Sequence, residues 1–126
     1  MNEVYIATPA DVTLEMIGDV LRRRWRLDDA LAQPSVDLGG SRWAYVAEFD
    51  ERDREDPLLL TPDEREALTR RLGSYRLFSV RYASPTLGRD MARTIASSEL
   101  AEGPMLLDHD DTFLSPREFL ERTADE

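Results

Sequence analysis

Tyr75-Arg76-Leu77-Phe78-Ser79-Val80-Arg81-Tyr82-Ala83 runs directly into Ser84-Pro85. Phe78, Val80 and Tyr82 fall on one side of an extended chain and Leu77 and Arg81 on the other, the period of two expected of a strand. Ser84 then offers a hydroxyl to the free N–H groups at a helix start. Pro85 suits the first helical position because its missing N–H would have no partner there. The helix that follows, Pro85 to about Ser97, places Leu87, Met91 and Ile95 at four-residue intervals on one face, so Met91 reads as a core residue. A strand feeding a capped helix points to a mixed α+β chain.

The same hydroxyl-proline punctuation recurs at Thr8-Pro9, Thr61-Pro62 and Ser115-Pro116. Glu64 and Glu118 stand at the third helical position of the last two and complete capping boxes, and Leu114 can staple onto Phe119. At Thr8-Pro9 the competing caps are Asp11 and Thr13. Val4–Ala7 reads as a short strand, followed by a helix from about Val12 to Trp25 with Leu14, Ile17, Leu21 and Trp25 on one face. The run Arg22-Arg23-Arg24-Trp25-Arg26 suits the negative end of that helix. Ser35–Leu38 and Ser41–Phe49 flank Gly39-Gly40, which reads as a hairpin with a two-residue turn at positive φ. Trp43, Tyr45 and Phe49 share one face of its second strand. Asp50–Asp56 reads as a solvated acidic loop. Leu58-Leu59-Leu60 leads to a helix over Pro62–Leu72, with Ala67, Leu68 and Leu72 as a narrow stripe and Gly73 as its stop. Met105–Leu107 reads as a buried strand before an acidic turn that includes His109.

The resulting order is β-α-β-β-α-β followed by α-β-α, in one domain over residues 1–126. The first six elements match a ferredoxin-like split βαβ unit, extended by the C-terminal α-β-α. The expected sheet is mostly antiparallel, with the helices packed on one face.

A chain of 126 residues buries roughly two-thirds of its unfolded surface and needs no disulfide or metal to fold. The absence of Cys excludes thiol catalysis and thiolate metal sites. The start has no secretory pattern, and no apolar run approaches the roughly 18 residues needed to cross a bilayer. A cytoplasmic protein is expected. The net charge is −10, and every base is Arg. Charge is segregated along the chain: residues 48–66 hold nine acids and three Arg, residues 99–126 nine acids and two Arg, and residues 67–98 one acid and six Arg. Such acidity argues against direct nucleic-acid or anionic-membrane binding and favours steered encounter with a basic protein.

Pro104-Met105-Leu106-Leu107-Asp108-His109-Asp110-Asp111-Thr112-Phe113-Leu114 is the stretch that most looks like chemistry. Its Asp-x-Asp-x-Thr resembles the first motif of haloacid-dehalogenase-like hydrolases. That resemblance implies a cation-dependent phosphatase with Asp108 as nucleophile and Asp110 as general acid. In that family a long α/β domain with a Lys follows the motif, whereas this chain has no Lys. A calcium loop counted from Asp108 fails, since Phe113 stands where Gly is required and Phe119 where a bidentate Glu is required.

From Pro104 to Leu120 the chain is an apolar strand, an acidic turn over Asp108–Asp111, and a capped helix with Glu118-Phe119-Leu120. This resembles small acidic immunity proteins encoded beside polymorphic toxins in actinobacteria. The resemblance implies a non-catalytic inhibitor that occludes the basic active-site cleft of a cognate toxin, with no cofactor and no metal. The acids expected to meet the partner are Asp50, Glu51, Asp53, Glu55 and Asp56 together with Asp108, Asp110 and Asp111. Trp43 or Tyr45, if exposed, would add an aromatic anchor. The competing readings are the phosphatase-like enzyme, an acidic nucleic-acid mimic that blocks a DNA-binding protein, and a homodimer paired through sheet edges.

Overall fold

The computed structural model describes residues 2–28, 33–49, 61–109 and 112–124. In chain order these form β1 (Asn2–Pro9), α1 (Leu14–Arg22), β2 (Ser35–Asp37), β3 (Trp43–Phe49), α2 (Pro62–Leu72), β4 (Tyr75–Tyr82) and α3 (Pro85–Ala96). A 3-10 turn (Glu99–Glu102), β5 (Leu106–His109), β6 (Thr112–Leu114) and α4 (Pro116–Thr123) follow. The strands make one six-stranded sheet in the order β2-β3-β4-β1-β5-β6. Every neighbouring pair is antiparallel, so the protein is α+β. Among the described residues no helix is long and apolar enough to cross a membrane.

The alternation in β4 separates two cores. Phe78 and Val80 are fully buried on one face with Ile6 and Leu107, beneath Ile17 and Leu21 of α1, Met91 and Ile95 of α3, and Phe119 of α4. Leu77 lies on the other face with Ala7 and Leu106, beneath Leu68 of α2. The expectation that all helices share one face is therefore corrected: α2 packs on the reverse side. Its apolar stripe is only Leu68 and half-buried Leu72, and Ala67 is exposed. That narrow stripe covers a short stretch of sheet, whereas α3 brings Leu87, Met91, Ala92 and Ile95 to the larger core.

The strand order also corrects the use of the first six elements as the split βαβ unit. That assignment puts β1 directly beside β3, but β4 lies between them. The chain from β3 to β4 passes through α2 and returns to an adjacent antiparallel position, Phe49 opposite Leu77. It is α3 that carries the chain across, from β4 past β1 to β5.

Three local expectations change with this register. Thr8-Pro9 does not start a helix. Pro9 ends β1 opposite Tyr75, where a missing N–H is tolerated. Thr13 is the cap of α1, its hydroxyl accepting the Met16 N–H. The glycine turn is shifted by one residue: Arg42 N–H donates to Gly39 C=O, so Gly40 and Ser41 are central, both at positive φ (59° and 64°). Asp37 makes the shift possible by accepting the Gly39 N–H at 2.9 Å. Finally, β5 continues through Asp108 and His109, which pair with Phe113 and Thr112 of an added strand, β6. His109 is thus a half-buried strand residue rather than a turn residue. The caps at Thr61, Ser84 and Ser115 stand as read, and the capping box is complete at Thr61; at Ser115 the Glu118 carboxylate accepts from the Ser115 hydroxyl rather than from its backbone N–H.

Candidate partner-binding surface

Of the eight acids singled out in the sequence, Asp108 is described. Asp50, Glu51, Asp53, Glu55, Asp56, Asp110 and Asp111 lie outside the described residues. Asp108 is half-buried and pairs across β6 with Phe113. His109 turns its ring edge-on to Phe119, with centroids 6.1 Å apart. Successive strand side chains point to opposite faces. In the alternation of β5 Asp108 follows Leu106 and His109 follows Leu107, yet at this open strand end both residues line one cleft with Glu3, Tyr82, Arg89 and Phe119. Among the described residues no group of three or more carboxylates and imidazoles is placed to hold a metal ion.

The points where the two acidic segments join the sheet are fixed. Phe49, Leu77, Ala7 and Leu106 form one row across β3, β4, β1 and β5. From that row β3 leaves in one direction at Phe49, and β5 leaves in the opposite direction toward His109. The residues after Phe49 and those after His109 are thus attached at separate parts of the sheet.

The face shared with α2 carries a second feature. Trp43 and Tyr45, two residues apart on β3, stack with centroids 5.9 Å apart at 20°. Both are half-buried. Tyr45, Arg81 and Glu3 stand in one register row across β3, β4 and β1. Arg81 pairs with Glu3 at 3.3 Å and donates from Nε to Ser79. Glu3 also accepts the Tyr5 hydroxyl. The Arg81 guanidinium is held above its ordinary pKa, first by its hydrogen bond with Tyr45; burial opposes this, and the charges of Tyr45, Glu3 and Tyr5 add smaller upward effects. Asp37 pairs across β2 with Trp43. The result is a row of aromatic and charged groups beside α2. Trp43 and Tyr45 were legible as a pair. The contribution of Arg81, Glu3 and Tyr5 was not, because it depends on β4 lying between β3 and β1.

Folding also redistributes charge. Half of the six arginines in segment 67–98 pair with acids from outside it. Arg70, Arg76 and Arg81 pair with Glu66, Glu48 and Glu3, all outside that segment, at 2.9, 3.2 and 3.3 Å. Asp90, the one acid within it, faces Arg24 at 3.8 Å. Arg23 binds Glu99, whose carboxyl is lowered to about 2 chiefly by that hydrogen bond.

These features define an α+β protein with an aromatic and charged sheet surface. In comparisons with family models, curated proteins and solved structures, none matches the chain.

Proposed function

We propose that the protein is a non-catalytic binding protein of the immunity type, which inhibits a cognate toxin in the cytoplasm by covering the toxin's basic active-site cleft. The observation that carries this reading is the pairing of half of the Arg-rich segment's six arginines with acids from outside it. With Arg70, Arg76 and Arg81 each paired to a carboxylate, the positive charge of that segment is partly offset within a chain of net charge −10. A field of one sign steers association with a basic partner and repels polyanions. Direct nucleic-acid binding is disfavoured for the same reason. The contact surface in this reading combines Asp50, Glu51, Asp53, Glu55, Asp56, Asp108, Asp110 and Asp111, with Trp43 and Tyr45 as the aromatic anchor.

The fold accompanying this proposal is ferredoxin-like, built from elements other than the first six. In the observed order β1 and β3 are parallel with β4 between them, and β4 and β5 are parallel with β1 between them. Two interlocked split βαβ units, β1-α1-β3 and β4-α3-β5, follow. On this reading α2 and β2 are insertions, and β6-α4 is the C-terminal extension. Such a fold hosts many functions and licenses none by itself.

The test starts from affinity capture on the immobilised protein in lysate of the source organism, at low and at high salt. A basic protein retained at low salt and weakened at high salt is then purified and assayed with increasing amounts of this protein. Inhibition that saturates at one equivalent supports the proposal. A captured protein whose activity is unchanged at excess, or capture that ignores salt, overturns it.

A further inference from the structure

β1 and β5 are paired at two positions, Ile6 with Leu107 and Ala7 with Leu106. Yet β1 begins at Asn2, and β5 runs on to His109. Beyond the two pairs the strands part, and a cleft of about 290 Å3 opens against the first turns of α3 and the body of α4. Tyr82, Arg89, His109 and Phe119 form much of its wall.

Arg89 is the unusual member. It is half-buried, as are Arg65, Arg76, Arg81 and Arg93. Arg76 and Arg81 pair with carboxylates, and Arg93 donates to Leu120 C=O and Thr123. Arg65 also has a partner. Arg89 alone among these described arginines has neither ion pair nor hydrogen bond. A guanidinium that gives up part of its hydration without gaining an acceptor is costly, and buried polar groups are normally paired. The two carboxylates at the cleft do not supply the acceptor. Glu3 is engaged by Arg81 and Tyr5, and Asp108, which also lines the cleft, has a partner of its own. A flat apolar wall stands beside the cation. The Tyr82 ring is seated against Gly88, one residue before Arg89, so tightly that no side chain fits between them.

We infer that this cleft is a binding site for a small carboxylate with a flat apolar body, its carboxylate on Arg89 and its body against Tyr82. A planar guanidinium matches a carboxylate in two parallel hydrogen bonds. The volume lies near the lower end of small-ligand sites, roughly 300 Å3. This site goes beyond the partner-binding proposal and uses none of its aromatic anchor residues, so either can fail alone.

The experiment is an amide-shift NMR titration of the 15N-labelled full chain with benzoate, with its neutral near-isostere benzamide, and with acetate. Benzoate is expected to give saturable shifts at Tyr82, Gly88, Arg89 and His109, with benzamide and acetate binding about tenfold more weakly or worse. In Arg89→Gln the benzoate shifts should weaken by a similar factor while the rest of the spectrum overlays the parent. Absence of saturation with benzoate overturns the inference, as does equal binding of benzamide or retained affinity in Arg89→Gln. Equal affinity for acetate overturns recognition of the flat body.

Discussion

The Tyr82 side chain occupies the space where a side chain at Gly88 would begin: a Cβ built there lies 2.3 Å from Tyr82 Cδ1 and 2.9 Å from Tyr82 Cβ. Rotating the ring cannot relieve the second contact, because Tyr82 Cβ is set by the strand backbone. Replacing Gly by Ala inside a helix ordinarily gains up to about 1 kcal/mol. Here the sign reverses. Gly88→Ala is expected to lose roughly 1–3 kcal/mol to overpacking, read as a lower urea midpoint at unchanged slope. Adding Tyr82→Ala should recover part of that loss. A Gly88→Ala protein as stable as the parent would show that α3 and β4 are further apart than described.

Arg23 at the end of α1 holds Glu99 in the turn after α3, and this pair should be visible as a pH effect. The Glu99 carboxyl is lowered from 4.5 to about 2 by the Arg23 hydrogen bond. A carboxyl whose pKa is lower in the folded chain contributes stability that is fully present above its unfolded value. That contribution is lost as pH falls through the folded value. The stability difference between the parent and Glu99→Gln should therefore be constant at neutral pH and shrink between pH about 4.5 and about 2. Both groups are exposed, so salt should reduce it as well. Carboxyl NMR titration gives the direct check: in Arg23→Gln the Glu99 midpoint should rise toward the ordinary carboxylate range. A Glu99 midpoint already in that range in the parent would refute the pairing.

Local chemistry was readable where one segment decides the outcome. Thr61, Ser84 and Ser115 cap helices because each competes only with its own next turn. Met91 is core because Leu87 and Ile95 flank it at helical spacing. What could not be read depends on distant partners. Pro9 looked like a helix start until Tyr75 paired opposite it. β6 has only three residues, and its identity as a strand comes from β5 rather than from any pattern of its own. His109 looked like a turn residue because acids surround it, yet Phe119 of α4 receives its ring. The strand order was the largest loss. Both α2 and α3 follow a strand, and only the width of the apolar face distinguishes the helix that returns the chain to a neighbouring strand from the one that carries it past β1 to β5.

α2 tests that distinction. Leu68 is its one buried residue, at 1% exposure, and sits against Ala7, Leu77 and Leu106. Leu68→Ala should cost about 2–5 kcal/mol if α2 unfolds with the whole protein. If α2 is a separate unit, the global loss should be smaller, with faster amide exchange confined to residues 62–72. Ala67→Ser is the control. Ala67 shares the stripe in sequence but is exposed, so the change should stay within about 0.5 kcal/mol. A larger effect from Ala67 than from Leu68 would mean that the helix is rotated relative to its described docking.

The aromatic row on β3 separates an anchored interface from one held by charge alone. Trp43 and Tyr45 stack on each other and stand next to the Arg81–Glu3 pair, so Trp43 presents a rigid surface that needs little further ordering on binding. If a basic partner docks there, Trp43→Ala should weaken binding by at least about thirtyfold, mainly through faster dissociation. Asp37, opposite Trp43 across β2, is placed to act at long range. Asp37→Asn should slow association and flatten its salt dependence while leaving dissociation little changed. Surface plasmon resonance against the captured partner, at several salt concentrations, resolves the two rates. Trp43→Ala with unchanged dissociation would remove the sheet face from the interface and leave binding to the acids alone. A loss confined to Trp43, with no salt dependence in any variant, would instead mean that the partner is recognised by apolar contact and that the net charge of the protein serves another purpose.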